Sequence, residues 1–486
     1  MQNELGELKS SYSMLQTRID QLLRLIYGAK SEKHLSQADV NQLMLEFGLS
    51  EIEVLSVQTK QIAAHSRSTV DKSKPVRTLL PAHLKRVTTV IEPDIDTTDL
   101  VKIGEEITEV LELKVPEIYV QRTVRPKYAK KEGGIAIAEL PPRAIERGNA
   151  GAGLLAHLLV GKYVDHLPIY RQIKQFKRWG VELSESTVYE WTASAAKYLT
   201  PVYDQMVKKV LSGNYLQVDE SPIKVLQGSE AKQGIHQGYL WVYHSPPDDI
   251  VFFDYRKGRD QSGPKELLES FNGIIQTDGY NVYEAIAPGL NITLSGCMAH
   301  ARRKFDEAKG NDRKRAEEML DMIQALYAIE RELKDKDSET IRTQRRDQSE
   351  PMLEKMHIWM KKQAPYVTPE SLIGKAIRYS LERWDKLKLY TQHSHLRIDN
   401  NAVENTIRPV ALGRKNYLFA GSHESAQRIA MMYTITATCK KLNIDPQHYI
   451  EHLLTELPKR NANTIHDLLP WNYLLSLKSE QTATSN

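Results

Sequence analysis

Two cysteines, Cys297 and Cys439, are all that the 486 residues contain. So few thiols exclude a disulfide framework and a four-thiolate zinc site, and they fit a reducing compartment, so the cytoplasm is the expected location. Long apolar runs are missing as well. The longest, GAGLLAHLLVG at 151–161, is too short and interrupted to span a bilayer, and no basic region followed by an apolar core opens the chain. A membrane role is therefore not expected. There is no Walker loop, paired CxxC, HExxH or GxSxG, which removes nucleotide-driven and serine-hydrolase readings. Nor does one sign of charge dominate. The 66 Lys and Arg against 62 Asp and Glu leave +4, too little to demand an anionic partner, although local patches decide nucleic-acid affinity.

What is present is ordinary globular composition, 41% hydrophobic and 26% charged. The length exceeds the size at which one core stops growing, so three or more units are expected. Leu5, Leu8, Tyr12, Leu15, Ile19, Leu22 and Ile26 alternate steps of three and four until Gly28. That spacing predicts a coiled-coil oligomerisation helix over 1–28 and hence a homodimer or higher oligomer, although an amphipathic helix packed on its own domain shares the pattern. Residues 29–90 read as a helical segment and basic connector. Between 60 and 86 seven cations, Lys60, Arg67, Lys72, Lys74, Arg77, Lys85 and Arg86, face only Asp71, a run that suits either solvation or phosphate contact.

Residues 91–148 read as a small β-containing module on strand-like runs such as EIYVQRTV at 117–124. Over 149–210 the phrasing is helix-turn-helix: IYRQIKQFKRWGVELSESTVYEW at 169–191 breaks at Gly180 and restarts at Ser184 or Ser186. Any helical hairpin reads this way, and Lys174, Lys177 and Arg178 favour DNA. From 211 to 304 the fold class becomes α/β, with strands NYLQV, GYLWVYH, DIVFFDY, GIIQT and NITLSG and a helix at GPKELLESF. An all-α block follows over 305–395, then 396–440, which carries an acidic residue of interest, and a helical tail over 441–486.

Asp219 follows YLQV, and Asp278, with Gly279 behind it, follows GIIQT, so each carboxylate falls near the end of an apolar strand. In open α/β sheets ligands collect beyond strand ends, and two aspartates there repel unless a cation lies between them. Magnesium suits such a place, preferring hard oxygen ligands and one or two carboxylates plus phosphates. A third acid is offered by LRIDNNAVENTIRP at 396–409, with Glu404 on a short helix opened by Asp399, Asn400 or Asn401, Arg408 one turn on, and Pro409 expected to end it. Arg414 and Lys415 follow. Cations flanking an acid suit a phosphodiester. GCMAHARRKF at 296–305 adds Cys297 and His300, two ligands short of a metal site and so read as packing or hydrogen bonding beneath the acids, followed by Arg302 and Arg303. Alone, an aspartate at a strand end is usually a turn former. Glu220, next to Asp219 on an extended segment, should face the other way.

In VDESPIKV, QTDGYNVY, GCMAHARRKF and IDNNAVENTIRPVALGRKNYLFAGS the chain resembles the insertion-sequence-66 family of transposases, DDE transposases with a ribonuclease H-like core. The likeness extends through RPKYA, LLAHLLVGKYVDHLPIYRQ, AIRYSLERW and LNIDPQHYIEHLL to nearly the whole chain. It implies that Asp219, Asp278 and Glu404 are the catalytic acids holding two Mg²⁺ ions, with Mn²⁺ a substitute. It implies too that 305–395 is a helical insertion and that Cys297 with His300 is the family's CxxH signature. Strand cleavage and strand transfer on element ends and target DNA in a bacterial cytoplasm would follow, with accessory proteins of the element as further partners. Arg302, Arg303, Arg408, Arg414 and Lys415 become candidates for phosphate contact. Two departures stand out. Residues 80–135 hold none of the cysteines that bind zinc in many relatives, so no zinc is expected, and SHESAQR at 422–428 replaces glycines, which predicts an altered loop. The rival readings are a nuclease that cuts without joining, and a DNA-binding regulator or inactive domesticated copy whose acids are vestigial.

Overall fold

A computed structural model describes residues 118–124, 127–129, 135–137, 139, 141–146, 148–226, 234–461 and 464–476. The heptad seam at 5–26 and the basic connector at 60–86 lie outside the described residues. The chain divides into two compact units, Met1–Thr123 and Val124–Asn486.

The strand expected at EIYVQRTV is corrected by the structure: residues 118–124 have no regular secondary structure, and Tyr119 and Val120 are exposed. A β-prone sequence becomes a strand only where a partner supplies hydrogen bonds and a face to bury it. In the second unit β1 (Lys127–Ala129) pairs antiparallel with β2 (Ile135–Ile137).

Four helices follow: α1 (Ala152–Tyr163), α2 (Ile169–Arg178), α3 (Glu185–Tyr198) and α4 (Thr200–Leu211). The turn between α2 and α3 uses Gly180 at φ +81°, and Ser184 caps α3 by accepting from Thr187 N–H at 3.3 Å. Leu158, Ile169, Phe176 and Val188 form a small core of their own beneath this hairpin.

Strands β3 (Tyr215–Leu226), β4 (Ile235–Ser245) and β5 (Ile250–Arg256) precede α5 (Ser262–Leu267), β6 (Gly273–Gln276), α6 (Asn281–Ile286) and β7 (Ile292–Ser295). They build one mixed sheet in the order β5-β4-β3-β6-β7, antiparallel on the β5-β4-β3 side and parallel from β3 through β6 to β7. The first strand is much longer than NYLQV. Asp219 to Leu226 pair with Val242 to Ile235 of β4, so the polar stretch DESPIKV is strand. Its neighbour on the other side, β6, stops pairing at Gln217↔Gln276. Asp219 is thus mid-strand in one ladder and just past the end of the other.

The β5 edge is covered by the helix His423–Lys441, where Thr434 and Thr438, one turn apart, accept from Phe253 N–H at 2.9 Å and Val251 N–H at 3.2 Å. Threonine hydroxyls thereby satisfy donors that a bare edge would offer to another chain.

The helical block comprises α7 (Met298–Ala308), α8 (Arg313–Glu332), α9 (Ser338–Gln344), α10 (Glu350–Gln363), α11 (Leu372–Glu382) and α12 (Trp384–Lys388). Its core gathers Phe305, Met319, Ile323, Met356, Met360 and Ile377 and takes only Tyr215 and Ile274 from the sheet. After it come α13 (Asn401–Tyr417), α14 (His423–Lys441) and α15 (Pro446–Glu456). Two expectations are overturned here. Pro409 does not end a short helix but lies inside the 17-residue α13. A proline removes one helical hydrogen bond, and burial of Val403, Thr406, Val410 and Gly413 along one face outweighs that loss. SHESAQR is no loose loop either, because Ser422 caps α14 by accepting from Ser425 N–H at 3.1 Å. Among the described residues no helix is long and apolar enough to cross a membrane.

Candidate active site

The parallel half of the sheet ends on one level. Gln217 pairs with Gln276, Gln276 with Ser295, and two residues beyond the first of these pairs stand Asp219, still in β3, and Asp278, just past the end of β6. The DG turn after β6 is built for this. Gly279 has φ +92°, and a Cβ there would come within 2.6 Å of Arg383 Nε, so only glycine fits. Asp278 Oδ1 accepts from Tyr280 N–H at 2.9 Å, while its carbonyl accepts from Tyr379 O–H at 2.7 Å.

Glu404 arrives from the far side of the helical block, in the first turn of α13. Backbone bonds dock its segment: Met298 N–H donates to Ile398 O at 3.1 Å, and Asn400 N–H donates to Cys297 Sγ at 3.4 Å. His300 Nε2 stands 3.7 Å and Arg303 Nη2 3.4 Å from the Glu404 carboxylate. Asp219 feels the charges of both Asp278 and Glu404, so the three acids lie within electrostatic reach of one another, while the ligand atoms that crowd together are those of Cys297, His300 and Glu404. Cys297 is fully buried, and burial pushes its thiol up to about 12, so it is a neutral group against Asn400. Burial also lowers His300, against the pull of Glu404 and Asp278.

Convergence of the acids marks Asp219 most. Burial first, then the charges of Glu220, Asp278 and Glu404, push its carboxyl up to about 7, against the hydrogen bond it accepts from Glu220 N–H at 2.8 Å. Glu220 has its own cation, Arg259, whose guanidinium also stacks 4.1 Å from the Tyr280 ring centroid. Of the five cations expected on DNA, Arg303 meets Glu404, and Arg414 donates to Ser221 Oγ at 2.9 Å and Pro222 O at 2.6 Å. Arg302, Arg408 and Lys415 are exposed.

The residues suit a divalent cation. Glu404 Oε1, His300 Nδ1 and both amide atoms of Asn400 are buried without a hydrogen-bond partner, and the ligand atoms of Cys297, His300 and Glu404 lie within 4.8 Å of one another. That is one ligand more than Cys297 and His300 supply alone. Orphaned buried acceptors beside clustered carboxylates are what a bound cation and its waters would satisfy.

Behind the acids lies a buried amide clasp that sequence reasoning missed. Gln217 Nε2 donates to Gln276 Oε1 at 2.9 Å and to Asp399 O at 2.8 Å; Gln276 Nε2 donates to Gly296 O at 3.0 Å and Arg397 O at 2.8 Å. Tyr215 O–H donates to Gln276 Oε1 at 2.6 Å. Both glutamines are fully buried, and each stands two residues before an aspartate, in LQVD and IQTD. That shared offset was the available signal. The clasp ties both aspartate strands to the 397–399 backbone that leads to Glu404. Gln276→Met is expected to destabilise the fold by about 2–4 kcal/mol, since it strips two part-buried carbonyls of their donor and leaves the buried Gln217 amide without one of its acceptors. Urea unfolding measures this, and a loss under about 1 kcal/mol would mean that the carbonyls find other partners.

Acids just past the end of a parallel ladder, with a helix-borne glutamate in electrostatic reach, are an arrangement whose chemistry suits a divalent cation. Comparison with known proteins gives the family. The profile described as Transposase IS66 family matches residues 147–428, Transposase C of IS166 homeodomain matches 14–89, and IS66 C-terminal element matches 434–471. The chain is 32% identical to the uncharacterized protein y4hP of Sinorhizobium fredii (strain NBRC 101917 / NGR234), over 94% of this chain and 88% of that one. It is 29% identical to y4jD of the same strain, over 94% of each. The chain belongs to the IS66 family of transposases.

Proposed function

We propose that this transposase cleaves and joins DNA strands with Asp219, Asp278 and Glu404 as a DDE triad. The observation that carries the reading is the convergence of the three acids, registered in the raised Asp219 carboxyl. The sheet, with three antiparallel strands and two parallel ones beyond the first, is assigned as a ribonuclease H-like core. The separate core of the helical block supports its assignment as an insertion before the glutamate. The heptad seam at 5–26 is assigned to pairing copies of the chain, so that one assembly holds two DNA ends.

Two Mg²⁺ ions held by the three acids would lower the pKa of the attacking water or 3′-hydroxyl and neutralise the leaving oxygen. The chain's own residues do the rest. The amide clasp fixes both aspartate strands against the glutamate segment, and His300 and Arg303 hold the Glu404 carboxylate. Arg259 pairs with Glu220, so the acid next to Asp219 is already matched by a cation.

The test is Mg²⁺-dependent nicking and strand transfer on duplexes carrying the element's ends, taken from DNA flanking the reading frame. Nicking without transfer would favour a nuclease, and binding without either a regulator. A second expectation follows from Asp219. A carboxyl raised to about 7 stabilises the fold fully below about 3.8, and this contribution is lost as pH rises through 7. A cation binds the ionised form, so Mg²⁺ should raise the thermal midpoint of EDTA-treated protein more at pH 8 than at pH 6. Equal midpoints with and without Mg²⁺ at both values would overturn cation binding here.

A further inference from the structure

Helix α13 ends in a turn that burial alone does not explain. Tyr417 points inward, its hydroxyl 3.4 Å from that of Tyr433. Leu418 then adopts φ +65° and ψ −44°, and Phe419 N–H donates to Tyr417 O at 2.7 Å. This closes a three-residue γ-turn of the rare, strained hand, with a leucine where glycine would be easy. Leu418 is 61% and Phe419 42% exposed, yet Ala420 is 2% exposed. Ala420 is pinned to β3, donating to Lys224 O at 2.8 Å and accepting from Leu226 N–H at 2.8 Å. The turn is thus held at both ends, and its strain keeps two large apolar side chains in solvent. Backbone strain that persists in a well-anchored loop is a mark of function.

The surroundings say what kind of partner fits. Residues 405–421 carry Arg408, Arg414 and Lys415 and no acid. Asn416 Oδ1 accepts from Arg171 Nη1 at 3.4 Å, which sets α2, with Lys174 and Arg178, against the end of α13. Exposed Arg408 and Lys415 complement a polyanion, and an exposed apolar pair near them is the device by which proteins unstack a duplex step. Leu418 also lies 14 residues beyond Glu404, just past the end of the helix that carries it. At 1.5 Å per residue that is about 21 Å, or roughly six base pairs.

We propose that Leu418 and Phe419 form an apolar wedge that enters one base-pair step of the bound DNA duplex. The proposal rests on the DNA-binding reading above. Duplexes of the element's end, carrying 2-aminopurine at successive positions, are bound by the full-length protein. One position should brighten several-fold with wild type. The double variant Leu418→Ala, Phe419→Ala should lose that signal and bind about tenfold more weakly. A mismatch placed at the responsive step should restore most of the affinity, which a merely structural defect would not allow. Leu418→Gly should melt no lower than wild type while losing signal. Tight binding with no responsive position, or a double variant that keeps signal and affinity, would overturn the wedge. A double variant that changes subunit stoichiometry with the signal intact would also overturn it, making the tip a contact between protein chains. Wild type that fails to bind the duplex at all would sink the DNA reading and the wedge together.

Discussion

Asparagine at Asp219 should lower strand cleavage by on the order of 10³-fold or more while making the metal-free protein more stable at pH 8. The two effects share one cause. Asp219 is buried among Glu220, Asp278 and Glu404, and ionising it there costs free energy that raises its carboxyl to about 7. From a usual value of 3.8, at about 1.4 kcal/mol per unit, the fold carries up to about 4 kcal/mol of penalty once pH exceeds 7. Asparagine keeps an oxygen to accept from Glu220 N–H and has no charge to desolvate, so it recovers part of that penalty. It also removes a hard anionic ligand, and cation-dependent stabilisation should shrink with the activity. Glu220→Gln is the contrasting variant, because Glu220 is already paired with Arg259 and should matter far less to cleavage. Cleavage by Asp219→Asn protein within tenfold of wild type would exclude the triad. A lower rather than higher metal-free midpoint would mean that the carboxylate is structurally needed.

The sequence made the strands legible because their apolar runs are short, β-branched or aromatic, and bounded by turn residues. DG after GIIQT also announced the turn that aims Asp278. The helix start at Ser184 was readable as a cap, accepting from the N–H three residues on. What failed to show was set by distant partners. Nothing local in DESPIKV says strand, since its pairing depends on β4 lying alongside. Pro409 stays helical because of what α13 packs against, which no helix-breaking rule can see. The amide clasp looked like two polar residues inside apolar runs, although their matched position before the aspartates was visible. Arg303 and Arg414 read as free cations because their partners, Glu404 and β3, lie 101 and 193 residues away.

Arg345 is the extreme case of a role without a local signature, and its loss should damage the fold severely. Its side chain, 4% exposed, meets Glu330 through two bonds of 2.8 and 2.6 Å. It also donates to Tyr390 O at 2.8 Å, His393 O at 2.8 Å and Leu396 O at 3.0 Å, so all five of its N–H groups are used. These carbonyls end the helical block immediately before the 397–399 backbone held by the glutamine clasp. Arg345→Met leaves Glu330 uncompensated and three carbonyls without a donor, and should cost about 3–5 kcal/mol in urea unfolding. Arg345→Lys should recover little, since one ammonium cannot reproduce a planar fork of five donors. Replacing Glu330 and Arg345 together by Met should be milder than Arg345→Met alone, because no buried charge is then left unpaired. If the segment positions Glu404, folded Arg345→Met protein should need more Mg²⁺ for half-maximal cleavage, whereas a purely global loss of stability would leave that requirement unchanged. An unfolding free energy within about 1 kcal/mol of wild type would show that the chain end is held without the guanidinium.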